Sequence, residues 1–216
     1  MTKKVLVCVD RDGTLTYDDN YHLGRTHDWE EKLKILPNVE EGIKVLNKIE
    51  NSAIYIATNQ PGIAVKNFGD LTEERAGQVC QRIIEILEKK GAHIKGYFVC
   101  PKATPDYVKK RKEFEFKEEH ICYCSCIKPD IGIVLDALEA EKISRKSANI
   151  YVIGDRLTDV LTGINASGVG ILIPFKNKPG EAEKVKEKFS DNKDVYIAKD
   201  FLDAAKFIEN REQKNS

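Results

Sequence analysis

The chain has 216 residues, slightly more than a typical single domain, and this length can bury a core without disulfides or oligomerisation. Its 35 basic and 35 acidic side chains cancel, so no overall charge directs it to nucleic acid or to a membrane surface. The apolar run near the N-terminus is too short for a signal peptide, and no stretch approaches the ~20 apolar residues of a membrane helix. We therefore expect a cytoplasmic monomer whose thiols stay reduced.

Short apolar, β-branched runs alternate with helical patterns along the chain. Five runs have the pattern of strands buried on both faces, and a sixth is weaker: residues 5–9, 53–57, 97–99, 150–153, 169–173 and 195–197. Helical periods lie between and after them: residues 39–49, 72–91, 131–138, 157–164, 182–189 and 201–208. This alternation predicts right-handed crossovers and a doubly wound α/β fold, with a mainly parallel sheet covered by helices on both faces.

The alternation favours one domain over residues 1–210, without a large cap domain, followed by a frayed tail at residues 211–216. Two segments break the pattern. Residues 16–34 are polar and aromatic, and residues 101–127 hold no clear periodic element. A loop as long as the second is usually functional or disordered.

Four polar clusters are predicted to lie at one edge of the sheet. The carboxyl ends of parallel strands meet at that edge, where open α/β sheets bind their ligands. Each cluster taken alone is equally compatible with a polar turn, a helix cap or solvated surface. Their coincidence favours a functional site made of these residues: Asp10 with Asp12, Thr58 with Asn59 and Gln60, Lys128, and Asp155 with Asp159.

The residue types in these clusters suit phosphoryl transfer. Several carboxylates gathered in one place repel one another and need a cation, and hard oxygen ligands suit Mg²⁺. The hydroxyl of Thr58 and nearby backbone N–H groups could hold a phosphoryl oxygen, and the ammonium of Lys128 could neutralise phosphate charge. Phosphoryl transfer depends mostly on such positioning and charge neutralisation.

The order Asp-x-Asp-Gly-Thr, Thr-Asn, Lys and Gly-Asp-x-x-x-Asp resembles the haloacid dehalogenase superfamily of phosphatases, over roughly residues 5–175. The resemblance implies that Asp10 is the nucleophile that becomes an aspartyl phosphate. It implies that Asp12 protonates the leaving group and then, as a base, activates water. Thr58 and Lys128 would contact the phosphoryl oxygens.

The same resemblance implies the ligands of a magnesium ion. These would be the carboxylates of Asp10 and Asp155 together with the backbone carbonyl of Asp12. Asp159 would support either Lys128 or the metal. The substrate would be a small phosphorylated molecule.

Four of the six cysteines lie around the long loop. Alternate residues of an extended segment point the same way, so two or three sulfurs of Cys122, Cys124 and Cys126 could face one metal. With Cys100 they predict a tetrahedral Zn²⁺ site that ties down residues 101–127, and His120 is the alternative to Cys122. Reduced free thiols are the other interpretation, and disulfides are disfavoured.

The Cys-Pro and Cys-x-Cys-x-Lys-Pro segments resemble the heptose-bisphosphate phosphatases and the related histidinol-phosphate phosphatases. The resemblance implies a phosphorylated sugar as substrate, with a heptose 1,7-bisphosphate losing its 7-phosphate as the first choice and histidinol phosphate as the rival. Lys102 stands where that family has a His, and Val65 and Ile127 stand where it has Arg. The expected substrate contacts are Arg11, Asp18, Asp19, Asn20, Tyr21, Asn59, Gln60 and Arg156.

Three other functions remain open from the residues alone. The basic run at residues 109–112 could attract a polynucleotide 3′ end, although no interleaved aromatic residues support base stacking there. A receiver-like phospho-acceptor domain also combines an α/β sheet, an acidic cluster, a Thr and a Lys, but its phosphorylated Asp ends the third strand. A non-catalytic, zinc-stapled binding module would not need the acidic cluster and Lys128 together.

Overall fold

The computed structural model describes residues 3–17 and 22–215. Its strands are β1 (Lys4–Val9), β2 (Ser52–Asn59), β3 (Gly96–Cys100), β4 (Ala148–Gly154), β5 (Val169–Leu172) and β6 (Val195–Ile197). Its helices are α1 (His22–Arg25), α2 (Trp29–Lys32), α3 (Val39–Asn47), α4 (Glu73–Glu88), α5 (Pro105–Lys109), α6 (Gly132–Ala140), α7 (Leu157–Asn165), α8 (Glu181–Phe189) and α9 (Phe201–Asn215). None of these described helices has both the length and the apolar composition that crossing a bilayer requires.

The strands form one parallel sheet in the order β3-β2-β1-β4-β5-β6, which confirms the doubly wound α/β fold. β1 lies at its centre, with Val9 in register with Ile56 on one side and Ile153 on the other. The strand order reverses between β1 and β4, and sheets of this kind bind ligands beyond the strand ends at such a point. The residues that follow β1 and β4 therefore lie where a site is expected.

Both faces of β1 are covered, which explains its continuous apolar run. Val5, Val7 and Val9 belong to a core cluster with residues of α3, α4 and α9, whereas Leu6 and Cys8 pack in a second cluster with α6. Each of the five side chains is at most 2% exposed. Full burial of one such aliphatic side chain stabilises a fold by about 1.5–3 kcal/mol. The end of β1, where the acidic cluster begins, is thus rigidly anchored.

The helix after Thr72 begins as its sequence predicts. The Thr72 hydroxyl accepts a hydrogen bond from the backbone N–H of Arg75 at 3.1 Å, which satisfies one of the donors left open at a helix N-terminus. Ala76, Val79 and Leu87 are buried on its inner face. The helix ends at Glu88, before the left-handed Gly91 at φ +78°.

The loop at residues 101–127 has regular structure that its sequence pattern did not reveal. It contains α5, whose N-cap Thr104 accepts from the backbone N–H of Tyr107 at 3.0 Å, and a 3-10 turn at Glu118–His120. Ala103 N–H donates to the carbonyl of His120 at 2.9 Å, so the two arms of the loop pair. These elements are too short to show a period in the sequence.

The expected frayed tail is wrong for residues 211–215, which continue α9. The Arg211 guanidinium donates to the Asp194 carboxylate at 2.6 Å and to the Lys193 carbonyl at 2.9 Å. Glu212 accepts hydrogen bonds from Asn149 and from the Tyr151 hydroxyl. These long-range partners hold the end of the helix against the sheet, and they leave no local signal in the sequence.

Candidate active site

Asp10 follows β1 directly and meets the side chain of Lys128. The Lys128 ammonium donates to Asp10 Oδ1 at 2.7 Å, to Asp159 Oδ1 at 2.5 Å and to the Ala57 carbonyl at 2.8 Å. Its side chain is only 3% exposed. Burial alone would lower the pKa of Lys128, but the charges of Asp10 and Asp159 outweigh burial and raise the pKa above its usual value. Lys128 is thus a fixed cation beside Asp10.

Asp155 follows β4 and has one unsatisfied oxygen. The residue is fully buried, and its Oδ2 accepts a hydrogen bond from Lys178. Its Oδ1 is buried without a hydrogen-bond partner among the described residues. Burial, followed by repulsion from Asp10, raises the pKa of Asp155 to about 7. A buried carboxylate oxygen left in this way costs about 1–3 kcal/mol or more, so the site is incomplete without a further cation or donor.

Three carboxylates meet at this edge of the sheet. Asp10, Asp155 and Asp159 can each place a ligand oxygen within 4.8 Å of the other two. The ammonium groups of Lys128 and Lys178 contact them, and the exposed Arg156 approaches Asp155 from outside. These hard oxygen donors, one of them without a hydrogen bond, fit Mg²⁺, which binds through one or two carboxylates together with water and substrate phosphate.

Gly13 allows the backbone after β1 to approach Asp155. Its φ is +91°, a conformation that residues with a side chain rarely adopt, and a Cβ at this position would overlap the Asp155 carboxylate. The neighbouring Asp12 carbonyl accepts from Lys178 Nζ at 3.1 Å. The Asp12 carbonyl and the Asp155 carboxylate therefore face the same ammonium group.

The Asp12 carboxylate is held by Arg11 and Gln60. Arg11 Nε donates to Oδ1 at 2.8 Å and Nη2 to Oδ2 at 2.9 Å, while Gln60 Nε2 donates to Oδ2 at 2.7 Å. Burial favours a higher pKa of Asp12, but the Arg11 charge and these hydrogen bonds lower it overall. Arg11 has no exposed surface, so it positions Asp12 in this structure, and its predicted contact with substrate would require a rearrangement.

The polar residues that close β2 have different partners. Thr58 is buried, and its Oγ1 accepts from Gln60 Nε2 at 2.9 Å. Asn59 forms two hydrogen bonds with the backbone of Lys128, accepting at 3.1 Å and donating at 3.2 Å. Asn59 and Gln60, predicted as substrate contacts, thus brace Lys128 and Asp12 in this structure.

The remaining predicted substrate contacts are placed only in part. The Arg156 side chain is 54% exposed, and its Nε lies 3.9 Å from Asp155 Oδ1. Arg156 thus stands at the open side of the acidic cluster. Asp18, Asp19, Asn20 and Tyr21 lie outside the described residues, so their expected role stays a prediction.

Three of the four predicted zinc ligands converge, and two of these three are oxidised in this structure. Cys100, at the end of β3, is joined to Cys126 as a disulfide, contrary to the expectation of reduced thiols. Cys124 Sγ lies 3.2 Å from Cys126 Sγ, and the sulfurs of Cys100, Cys124 and Cys126 can all lie within 4.8 Å of one another. The folding of the loop back onto β3 brings these sulfurs together, and this convergence suits a disulfide or a metal equally.

The fourth zinc ligand is not assembled with the other three. Among the described residues, neither Cys122 nor His120 joins the group formed by Cys100, Cys124 and Cys126. A hydrogen bond with Cys124, followed by burial, raises the pKa of Cys122, whereas the His120 ring has its Nδ1 3.5 Å from Lys102 Nζ. Cys122 therefore contacts the cluster and His120 does not.

Lys178 contacts the acidic cluster, although its sequence context does not predict this. It lies in the turn after β5, where a lysine is typical of solvated surface. A usable signal existed, because the turn after β5 opens at the same sheet edge as the turns after β1 and β4.

Comparison with known proteins places this geometry in a family. The D-glycero-beta-D-manno-heptose-1,7-bisphosphate 7-phosphatase of Photorhabdus laumondii is 30% identical over 154 residues, which cover 71% of each chain. The histidine biosynthesis bifunctional protein HisB of Baumannia cicadellinicola is 29% identical over 167 residues, but the chain spans only 39% of its length. No family model matches the chain.

A solved structure supports the same fold. The D,D-heptose 1,7-bisphosphate phosphatase of B. bronchiseptica, complexed with magnesium and phosphate, superposes with a TM-score of 0.70 over 96% of this chain and 99% of its own. At 19% identity this likeness concerns the fold. The Photorhabdus relative carries the family assignment, because it combines higher identity with coverage of most of both chains. The chain therefore belongs to the heptose-bisphosphate and histidinol-phosphate phosphatase family of the haloacid dehalogenase superfamily, and it is a phosphatase.

Proposed function

We propose that this phosphatase depends on magnesium and works through an aspartyl phosphate on Asp10. The observation that carries the proposal is the placement of the Asp10 carboxylate between the fixed cation Lys128 and the buried Asp155, whose Oδ1 lacks a hydrogen bond. Phosphoryl transfer needs a nucleophile, a cation and a metal ligand close together, and this edge of the sheet offers a carboxylate, an ammonium and an unsatisfied acidic oxygen.

In the first step, a carboxylate oxygen of Asp10 attacks the phosphorus atom of the substrate. The bond from phosphorus to the leaving oxygen breaks, and a protonated Asp12 gives its proton to that oxygen. Lys128 stabilises the negative charge on the transferred group because its ammonium is already oriented by Asp159 and the Ala57 carbonyl. Thr58 would contact a phosphoryl oxygen.

In the second step, Asp12 acts as a base. It takes a proton from water, the water oxygen attacks phosphorus, and the bond between phosphorus and Asp10 breaks. Inorganic phosphate leaves, and the Asp10 carboxylate is restored. Asp12 is anionic at this point because it gave up its proton in the first step, and the charge of Arg11 and the hydrogen bonds from Arg11 and Gln60, which lower the pKa of Asp12, stabilise this form. Taking the proton from water returns Asp12 to the protonated form that the next turnover requires.

The residues that would hold magnesium are Asp10 and Asp155 through their carboxylates and Asp12 through its carbonyl. The bound ion would neutralise charge on the phosphoryl group and on the carboxylates. Asp159 contacts Lys128 directly, so its role is to support that cation.

For the substrate we infer a heptose 1,7-bisphosphate that loses its 7-phosphate. The names of the relatives support this choice, and Arg156 offers an exposed cation near the site. Val65, at one position where the family has Arg, is buried against the loop cluster that contains Phe116 and is therefore not a substrate contact. Histidinol phosphate is the second candidate, favoured by the similarity to the histidine biosynthesis protein.

The other functions have less support. The strand order β3-β2-β1-β4-β5-β6 differs from the 2-1-3-4-5 order of receiver domains, and Asp10 follows the first strand. Within the basic run, Lys109 Nζ lies 3.8 Å from the Asp106 carboxylate, and the Arg111 guanidinium stacks on the Tyr107 ring at 3.9 Å. These local contacts weaken the case for a polynucleotide end.

We further infer that reduced protein binds a structural zinc ion at Cys100, Cys122, Cys124 and Cys126. The support is the convergence of the Cys100, Cys124 and Cys126 sulfurs, with Cys122 in contact with Cys124. A metal there would tie down the segment that leads into Lys128.

A panel of phosphorylated metabolites tests the proposal. Phosphate release is measured with heptose bisphosphates, histidinol phosphate and sugar monophosphates, each with Mg²⁺ and with a chelator. We expect chelator-sensitive turnover that is highest with the heptose bisphosphate and is lost in Asp10→Asn. Full activity in the chelator would refute magnesium dependence, and preference for histidinol phosphate would shift the substrate assignment.

A further inference from the structure

Lys178 reaches into the acidic cluster from the turn after β5. Its backbone N–H donates to the Phe175 carbonyl at 2.9 Å, which fixes the turn. Its ammonium donates to Asp155 Oδ2 and, at 3.1 Å, to the Asp12 carbonyl. The side chain is 17% exposed, so this contact lies at the rim of a mostly buried cluster.

Both groups that Lys178 contacts are ligands of the proposed magnesium site. A magnesium ion binds oxygen ligands at about 2.0–2.1 Å, whereas an ammonium donates to them at about 2.7–2.9 Å. An ammonium hydrogen-bonded to Asp155 and to the Asp12 carbonyl therefore lies almost where the metal would lie. Two cations at such a separation repel strongly in a partly buried site. The contacts of Lys178 and the binding of the metal exclude each other.

We propose that Lys178 is a resident counter-ion of the metal site, which holds Asp155 and the Asp12 carbonyl together in the metal-free protein and is displaced when the divalent ion binds. This inference rests on the proposed function, because it takes the magnesium site as given. The backbone of the turn stays tied through Phe175, so displacement requires only a rotation of the Lys178 side chain. The site therefore stays assembled without metal, and each metal ion competes with an internal cation.

Two effects of opposite direction follow for Lys178→Met. The metal-free variant leaves the buried Asp155 carboxylate beside Asp10 and Asp159 without its partner, so its Tm in excess chelator falls by roughly 5 °C. Its affinity for Mg²⁺ rises on the order of tenfold, because the competing cation is gone. Saturating Mg²⁺ therefore removes or reverses the difference in Tm.

The matched control is Lys176→Met, two residues away in the same turn. Lys176 is exposed, and its Nζ lies 5.8 Å from the centre of the Tyr17 ring. The Lys176→Met variant should keep both the Mg²⁺ affinity and the Tm in chelator of the unsubstituted protein. Lys178→Gln is the second test variant, because it keeps a hydrogen-bond donor while removing the charge, and it should also bind Mg²⁺ more tightly.

The experiment measures Mg²⁺ binding by titration calorimetry, and thermal unfolding with chelator and with Mg²⁺, on the full chain and its variants. The inference is supported if the Lys178 variants, but not Lys176→Met, bind Mg²⁺ more tightly and have a lower Tm in chelator. Binding equal to or weaker than that of the unsubstituted protein overturns it, while the magnesium site itself stands. If no protein binds Mg²⁺ and phosphate release continues in chelator, both the inference and the proposed magnesium dependence are wrong.

Discussion

Lys128 and Asp10 are 118 positions apart in sequence, yet the Lys128 ammonium donates to the Asp10 carboxylate at 2.7 Å. Both side chains are almost buried, with 3% and 11% of their surfaces exposed. Asp10 is placed by the central strand β1, and Lys128 is placed by the two hydrogen bonds between its backbone and Asn59 at the end of β2. The pairing of these strands therefore sets the distance between nucleophile and cation.

The first prediction concerns this cation. Lys128→Met should lower kcat/KM by about 10²- to 10³-fold, because charge on the transferred phosphoryl group loses a fixed partner. The variant should also lose about 3–5 kcal/mol of unfolding free energy, since Asp10 and Asp159 are left without their shared cation. Kinetics and urea unfolding check both effects. The exposed Lys146 serves as a control, and a Lys128→Met enzyme as active as Lys146→Met would be inconsistent with the assigned role.

The second prediction compares two glycines with positive φ. Gly13 has φ +91° and would place a Cβ on the Asp155 carboxylate, whereas Gly180 has φ +87° and no atom within 4 Å of such a Cβ. Alanine at either position costs about 1–2 kcal/mol through its backbone conformation. Only Gly13→Ala should also weaken Mg²⁺ binding and reduce activity at least about tenfold, because it displaces a metal ligand. Calorimetry measures Mg²⁺ binding and kinetics measure activity for both variants. Equal activity of Gly13→Ala and Gly180→Ala would show that the close approach of Gly13 to Asp155 is not needed for catalysis.

Much of this site could be predicted from local sequence because strand ends are encoded locally. The apolar run of β1 ends at Asp10, that of β4 ends before Asp155, and parallel pairing alone brings them to one edge. The strand order itself could not be derived, since several orders satisfy the same alternation of strands and helices.

Side-chain partners could not be predicted in the same way. Arg11 was expected to face a substrate but lies buried against Asp12, and Lys178 reaches the cluster from a turn without a distinctive pattern. Whether Cys100 and Cys126 bind a metal or each other depends on oxidation, which the sequence does not encode. These outcomes depend on rotamers and on contacts between distant segments.

The third prediction is a pH dependence of stability that arises away from the active site. Glu141 accepts hydrogen bonds from Lys95 at 2.7 Å and from the Tyr55 hydroxyl at 2.7 Å, and it pairs with Lys4 at 2.9 Å. Burial would raise the pKa of Glu141, but these partners lower it to about 2 from an ordinary 4.5. A lowered folded-state pKa stabilises the fold above pH 4.5, and this contribution disappears as the pH falls toward 2.

Glu141→Gln should therefore lower the unfolding free energy at neutral pH by about 1–2 kcal/mol, after allowance for solvent screening. The difference from the unsubstituted protein should shrink as the pH falls from 4.5 toward 2. Urea unfolding across this pH range measures it. Glu88→Gln, at an exposed helix end, should show no such dependence. If the loss of unfolding free energy in Glu141→Gln stays constant down to the lowest pH, the ion pairs of Glu141 are not its cause.

The fourth prediction concerns the thiol cluster. Protein purified under reducing conditions should contain about one zinc ion per chain, and Cys124→Ser should lose it, because a tetrahedral site needs all four ligands. Cys8→Ala, at a buried strand position, is the control that should keep its zinc. Elemental analysis measures the metal, and peptide mapping without reductant reports any bond between Cys100 and Cys126. A zinc-free reduced protein would contradict the zinc proposal, and the bond between Cys100 and Cys126 in oxidised protein would then be the covalent link that holds the loop.

The most direct test of the account is to trap the phosphorylated enzyme in Asp12→Ala with an aryl phosphate. An aryl leaving group departs without a proton donor, whereas hydrolysis of the acyl phosphate still needs the missing base, so the intermediate should accumulate. After rapid acid quench, peptide mass spectrometry should find the phosphoryl group on Asp10, and borohydride should reduce that residue to homoserine. Aryl phosphate turnover without any modification of Asp10, or with the phosphoryl group on another residue, would contradict the central claim.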